Sequence, residues 1–177
     1  MNIPRFSPFP ILSTERLILR KITLDDDKAI YLQRSNEIVN KYIARTPPAD
    51  ITEAQAWITR INKSIDEGQN VNWAITSKNC GTFIGLICLW NFSEDRTIAE
   101  TGYELNPGYH GKGYMNEALN SVINFGFSSL KLSMIEAYTQ KGNVNSIKLL
   151  TKNGFVHDPS RIDEGFPLNT IYTLSNK

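Results

Sequence analysis

The stretch 105–115 combines residue types that could hold a phosphate group. It ends a predicted strand, passes through a glycine-bearing turn and enters a predicted helix at about Gly113. Backbone N–H groups at a helix start lack intrahelical partners and lie at the positive end of the helix dipole. Glycines let a ligand approach the backbone and permit positive φ. The turn therefore predicts an anion site that needs no excess of basic side chains. The alternative is that the glycines only allow the chain to turn and bind no ligand.

Two common phosphate motifs are excluded at this turn. A dinucleotide fingerprint needs a third glycine where the chain has Asn116. A P-loop needs Ser or Thr directly after Gly-Lys, but Gly113 follows Lys112. The ligand is therefore expected to be a phosphate compound of another kind.

A second informative stretch, 143–155, reads Asn-Val-Asn-Ser-Ile-Lys-Leu-Leu-Thr-Lys-Asn-Gly-Phe. Its polar start opens onto an apolar helical face and closes with Gly-Phe. Together the two stretches resemble the GCN5-related N-acetyltransferase (GNAT) superfamily, most of all the RimJ/RimL branch, which acetylates protein N-terminal amines among other substrates. The family's acetyl-CoA turn is matched by 110–115, its first strand by 14–20 and its later element by Glu136-Ala137, Asn143, Ser146-Ile147 and Gly154-Phe155.

Three positions depart from the family pattern. His110 stands where a longer donor is usual, and Met115 is bulkier than the usual small residue. Leu150 stands where many relatives carry a tyrosine that acts as general acid. A free thiol has a pKa of about 8.5, so thiolate departure near neutral pH needs only modest help, and the missing tyrosine is not decisive.

The resemblance implies an α+β, GNAT-like fold with a mixed, mostly antiparallel central sheet of about seven strands and about four helices on its two faces. Residues 1–177 would form one N-acetyltransferase domain, with 1–12 as an N-terminal extension. Acetyl-CoA would be the cosubstrate, and the acetyl group would pass directly, in a ternary complex, to a primary amine of a protein N-terminus or small molecule. The alternative is a catalytically silent CoA-binding sensor of the same fold.

The same resemblance assigns candidate site residues. Ser146 is the candidate proton donor or water-holder, and Glu136 is the first choice for the base, with Glu100 and Glu104 as alternatives. Each has a simpler interpretation, a serine bonded to local backbone or an ordinary strand glutamate. Asn143 is a candidate for gripping the pantetheine arm or orienting a water, with a helix cap as its simpler interpretation. The cofactor-binding candidates are Leu105, His110, Gly111, Lys112, Gly113, Tyr114, Met115 and Asn143.

Aromatic side chains and one loop are candidates for the acceptor side. Loops on a rigid scaffold commonly carry specificity, which favours the 43–51 segment. Strand aromatics are more often core residues, so their role in an acceptor pocket is the less expected one. The aromatic candidates are Tyr42, Trp90, Phe92 and Tyr103.

The elements that must position these residues follow from periodicity. Alternating side chains predict a strand over 16–22, and a helix follows from the Thr23 cap to about Ser35. A second amphipathic helix is predicted from Thr52 to Gly68. The remaining predicted elements are an antiparallel meander over 72–77, 82–92 and 98–105, a helix from about 113 to 127, a strand over 134–139, a helix over 143–153 and a strand over 171–174.

Composition limits the partners. The 177 residues include 19 basic and 18 acidic side chains, a net charge of +1 that gives no general attraction to nucleic acid or an anionic membrane. No signal peptide or membrane-spanning run is visible, so a cytoplasmic location is expected. Cys80 and Cys88 are expected to be reduced thiols, and no metal site is predicted. A homodimer is compatible with the sequence.

Overall fold

One mixed sheet runs through the domain, and the computed structural model describes residues 6–176. Its strands are β1 (Leu12–Ser13), β2 (Leu17–Lys21), β3 (Val71–Ser77), β4 (Phe83–Trp90), β5 (Ile98–Leu105), β6 (Met134–Gln140), β7 (Val156–Asp158) and β8 (Asn169–Ser175). The helices are α1 (Asp27–Arg34), α2 (Glu37–Asn40), α3 (Ile51–Asp66), α4 (Tyr114–Ser128) and α5 (Val144–Lys152).

The strand order is β1-β2-β3-β4-β5-β6-β8-β7. All neighbours are antiparallel except β5 and β6, which run parallel and pair at three positions, the last of them Glu100 with Glu136. Both strands continue beyond this point, β5 to Leu105 and β6 to Gln140, without pairing to each other. A gap with two unpaired strand edges therefore opens inside the sheet.

Side-chain alternation divides the core into two layers. In β3, Trp73 and Ile75 pack with α4, whereas Ala74 packs with α1 and α3 on the opposite face. In β5, Ala99 belongs to the α4 layer. Because successive strand residues point to opposite faces, Glu100 and Glu104 face the α1 and α3 side.

The predicted fold class is confirmed, with eight strands in place of about seven and five helices in place of about four. The short elements β1, β7 and α2 carry too few residues to show a period. The helix predicted from Thr52 begins at Ile51, since Asp50 Oδ1 accepts the N–H of Glu53 at 3.0 Å and caps the helix one residue earlier.

The predicted N-terminal extension is partly described, its residues 1–5 lying outside the described range. Phe6 is buried in the α4 layer, and Trp73 Nε1 donates to the carbonyl of Pro10 at 2.7 Å. Both Cys80 and Cys88 are free thiols. Among residues 6–176, no helix is both long and apolar enough to cross a membrane.

Candidate active site

The glycine turn between β5 and α4 has the backbone geometry of an anion site. A single 3₁₀ turn at Pro107–Tyr109 follows β5, and Gly111 and Gly113 then take φ values of +71° and +79°. Gly113 is the N-cap of α4 and offers no side chain, so the first helical N–H with a backbone acceptor is that of Glu117. The N–H groups of residues 114–116 have no partner among residues 6–176. Three donors therefore lie free at the helix start.

The two left-handed glycines keep this donor set accessible. Only glycine adopts such φ values without cost. A Cβ at Gly111 would meet nothing within 4 Å, so the space in front of the turn is open. A Cβ at Gly113 would lie 3.5 Å from Arg16 Nη2, which places a guanidinium beside the same space.

Arg16 is a site residue that the sequence patterns do not identify. Its Nε donates to Glu117 Oε2 at 2.6 Å, its Nη1 donates to the carbonyl of Lys112 at 3.0 Å, and its Cζ lies 4.4 Å from the centre of the Tyr114 ring. Nη2 has no hydrogen-bond partner among the described residues. A guanidinium held on one edge by Glu117 therefore turns its other edge toward the helix start.

Glu117 is the anchor of this arrangement. Its carboxylate also accepts from the Arg16 backbone N–H at 2.7 Å and from the hydroxyl of Thr14. Burial acts to raise the pKa of Glu117, but the bonds from Thr14 and Arg16 outweigh it and hold that pKa below its ordinary value. The negative charge in the first turn of α4 is thus matched by Arg16, and Nη2 remains for a ligand.

Several candidates in the turn act on the turn itself. His110 Nε2 lies 2.8 Å from the carbonyl of Leu105, and Lys112 Nζ donates to the carbonyl of Gly108 at 2.8 Å. Met115 is buried in the α4 layer. The side chains of His110 and Lys112 therefore bond to the loop itself, and Met115 offers only its backbone N–H as a donor left unpaired within residues 6–176.

The three candidate carboxylates have different environments. Glu136 accepts from both terminal nitrogens of Arg161 and, at 3.1 Å, from Tyr138 OH. Glu104 accepts from Arg45 Nη1 at 2.5 Å and from Gln33 Nε2 at 3.1 Å. Both carboxylates therefore have their lone pairs occupied by strong donors.

Glu100, at the apex of the gap, has no arginine or lysine within ion-pair distance among residues 6–176. Its carboxylate accepts one long hydrogen bond, from Asn91 Nδ2 at 3.4 Å. Burial, with the negative charges of Asp163 and Glu136, raises the pKa of Glu100 to about 7. This carboxyl can therefore accept or release a proton near neutral pH.

The α5 end of the gap holds two hydroxyls. Asn143 caps α5 by accepting the N–H of Ser146 at 3.2 Å, and Ser146 Oγ lies 2.8 Å from Tyr103 OH, which reaches across from β5. Leu150, one helical turn further on, is fully buried in the α4 layer. The structure therefore brings Asn143 and Ser146 together with Tyr103, a residue that sequence reasoning considered only for the acceptor pocket.

The acceptor candidates fall on different faces. Trp90 is 45% exposed and is the cross-strand neighbour of Glu100, so it lines the same face. Phe92 and Tyr103 pack against the α4 layer. The predicted specificity loop is tied to the sheet through the ion pair of Arg45 with Glu104, and Tyr42 lies against Gly142 at the end of β6.

The chain is similar to known proteins over most of its length. The family described as the acetyltransferase (GNAT) domain matches residues 16–156. The chain belongs to the GNAT acetyltransferase family. The matched range includes both the helix-start donors of α4 and the Tyr103–Ser146 pair, whereas Arg161, which binds Glu136, lies beyond it.

Sequence relatives and solved structures agree with the GNAT assignment. The chain is 38% identical over 144 residues to "Uncharacterized N-acetyltransferase p20" of Bacillus licheniformis, which covers 81% of each protein. It is 35% identical over 147 residues to "Uncharacterized N-acetyltransferase YoaA" of Bacillus subtilis, covering 83% of each. The structure of Mycobacterium smegmatis RimJ in complex with CoA-disulfide has the same fold, with a TM-score of 0.82 at 17% identity over 94% of this chain and 87% of that one.

Proposed function

We propose that this protein transfers the acetyl group of acetyl-CoA to a primary amine, of a protein N-terminus or a small molecule, in a ternary complex. The observation that carries the proposal is the arrangement along β5. A helix start with three free N–H groups follows its carboxyl end, and a carboxyl with a pKa of about 7 lies at the apex of the gap that the strand borders. One edge thus combines phosphate binding with proton acceptance.

The residues present fit the CoA group. Its pyrophosphate would accept from the N–H groups of residues 114–116, and Arg16 Nη2 adds a charged donor that the net charge of +1 does not reveal. The open space at Gly111 leaves room for it. The unpaired edges of β5 and β6 beyond Glu100 offer backbone partners to an extended, amide-bearing arm. When bound, acetyl-CoA supplies the acyl group as a thioester.

Glu100 is the favoured base among the three carboxylates. A lysine-like amine has a pKa of about 10.4 and is mostly protonated at pH 7, so it must lose a proton before it can attack. Glu100 carries no hydrogen-bonded arginine and titrates near neutrality, whereas Glu136, the first choice from sequence, is bound by Arg161 and Tyr138. In this proposal Glu136 holds Arg161, and its charge helps raise the pKa of Glu100.

These roles account for each proton and each bond in the transfer. The ammonium gives one proton to Glu100, directly or through water, and the free amine forms the new C–N bond. The C–S bond breaks, and the thiolate is stabilised at the end of the gap where Ser146 lies. The second amine proton leaves to solvent, and Glu100 is regenerated by releasing its own proton.

The test is acetyl-CoA-dependent thiol release across N-terminal peptides, polyamines, amino acids and aminoglycosides. Glu100→Gln should abolish the limb of kcat/KM that rises with pH through about 7. Glu136→Gln serves as the neighbouring control, which should keep a rising limb but at lower pH, because it removes a negative charge that helps raise the pKa of Glu100. Calorimetry on both variants should show unchanged CoA affinity. If CoA binds and no amine in the panel is acetylated, the protein is a sensor; if the limb survives in Glu100→Gln, the base is another group.

A further inference from the structure

The hydrogen bond between Tyr103 and Ser146 has a chemical consequence beyond holding β5 to α5. The two oxygens are 2.8 Å apart, one on a strand that borders the gap and one in the first turn of α5. The Tyr103 ring packs against the α4 layer, so its hydroxyl has little freedom to find another partner. The pair is therefore fixed at the α5 side of the gap.

The Tyr103–Ser146 pair has one hydroxyl proton that can be donated to a ligand. Each hydroxyl carries one proton, and their mutual hydrogen bond uses one of the two. The helix cap does not use the other, because Asn143 Oδ1 accepts the backbone N–H of Ser146 and not its hydroxyl. Neither oxygen has a further hydrogen-bond partner among residues 6–176. One proton of the pair is therefore free.

We propose that Tyr103 is a positioning residue that, through Ser146, keeps one hydroxyl proton directed into the gap to stabilise the thiolate of CoA. The inference rests on the proposed function, which places the sulfur of the acyl donor in this gap. In this proposal Tyr103 is the donor to Ser146 Oγ, one of the two directions in which the 2.8 Å hydrogen bond can run. The serine proton then cannot be satisfied within the pair and points outward.

The pair acts by hydrogen bonding and not by giving up its proton. Burial raises the pKa of Tyr103 to about 12, although the hydrogen bond between Tyr103 and Ser146 opposes the rise. A thiol has a pKa of about 8.5, so full transfer from the phenol to a thiolate would be uphill by more than three pH units. A hydrogen bond to the thiolate lowers the pKa of the thiol without any such transfer.

The experiment measures the pKa of the thiol in CoA bound to the protein, from the ultraviolet absorbance of the thiolate between about pH 6 and about pH 10. Wild type is compared with Tyr103→Phe, Ser146→Ala and the double variant. Tyr31→Phe, in α1 on the opposite face, is the matched tyrosine control. Circular dichroism and CoA calorimetry on each variant show that it folds and binds.

In wild type the bound thiol should titrate roughly one pH unit or more below free CoA, the shift expected of a hydrogen bond to a charged group. Ser146→Ala should remove most of this shift and Tyr103→Phe a substantial part. The double variant should match Ser146→Ala because the residues act as a unit. Turnover should fall in the same order while the KM for acetyl-CoA stays constant.

Four results would overturn the inference. A thiol pKa in Tyr103→Phe equal to that of wild type removes the role of the tyrosine. Additive shifts in the double variant show two independent effects. Failure of wild type to bind CoA in calorimetry refutes the proposed function itself, whereas binding with an unshifted thiol pKa refutes only the Tyr103–Ser146 pair.

Discussion

Replacing the Glu100 carboxyl by an amide should stabilise the protein at pH 8 while removing its proton acceptor. The pKa of Glu100 rises from 4.5 to about 7 in the folded protein, chiefly through burial. A carboxyl with such a raised pKa makes its full contribution to the free energy of unfolding below about pH 4.5. That contribution is lost as the pH rises through about 7. Above that window the folded state holds a carboxylate in unfavourable surroundings.

The size of this effect follows from the shift. Each pKa unit corresponds to about 1.36 kcal/mol, so the upper limit is about 3.4 kcal/mol. Solvent reaches part of the side chain and screens it, which reduces the expected gain of Glu100→Gln to roughly 1–2 kcal/mol. For a domain of this length that gain raises the Tm by roughly 3–6 °C.

Thermal unfolding followed by circular dichroism at pH 8 and at pH 5 measures the gain. The difference between Glu100→Gln and wild type should be large at pH 8 and much smaller at pH 5, where the folded wild type is protonated at this position. Glu94→Gln, at an exposed position close in sequence, should show neither change. A variant no more stable than wild type at pH 8, or a gain of equal size at both pH values, would refute the assignment of a raised pKa to Glu100.

Three further predictions concern the turn and the acceptor loop. Arg16→Ala should weaken CoA binding about tenfold in calorimetry by removing the charged donor at Nη2, with the exposed Lys63→Ala as control; unchanged affinity would exclude Arg16 from the site. Gly113→Glu should abolish CoA binding, since it adds negative charge and a side chain at φ +79°, and binding within twofold of wild type would remove the turn as the phosphate site. Arg45→Met should destabilise the protein by about 3 kcal/mol in urea unfolding because it deprives buried Glu104 of its closest cation, and a loss under about 1 kcal/mol would show that Arg34 suffices.

Local features of the site are readable from the chain alone. The anion turn depends on consecutive residues, glycines at positive φ and the helix that follows, so 105–115 predicts it directly. The Asn143 cap, which is the simpler interpretation of that residue from sequence, likewise lies three residues from the N–H that it binds. Both predictions rest on interactions that span a few residues, where sequence spacing and spatial distance are equivalent.

Long-range pairings are not readable in this way. Arg16 and Glu117 are 101 residues apart, and nothing in either segment indicates that β2 passes beside the first turn of α4. Glu136 and Glu100 look alike as strand glutamates. Arg161, in the segment between β7 and β8, distinguishes them, because it forms an ion pair with Glu136 and not with Glu100.

The side of the sheet on which a strand residue lies is also not predicted by the sequence. Tyr103 carries the aromatic character expected of an acceptor pocket, but strand alternation places it opposite Glu100 and beside Ser146. To assign Tyr103 to one side, one must know which helices pack on each side of β5. Alternation within one strand gives relative faces, and only the packed helices show which is which.

The short parallel ladder between β5 and β6 also bears on cooperativity. Only three residue pairs join the β1–β5 half of the sheet to the β6–β8–β7 half at this seam, whereas the antiparallel ladder between β6 and β8 is seven pairs long. Strand segments with few shared hydrogen bonds open independently and exchange their amide hydrogens sooner. We therefore expect the backbone hydrogen bonds of the two halves to open less cooperatively at this seam. A ligand whose amides bridge both edges should couple the halves and slow exchange along β6 and β8 as well as at the residues that it touches.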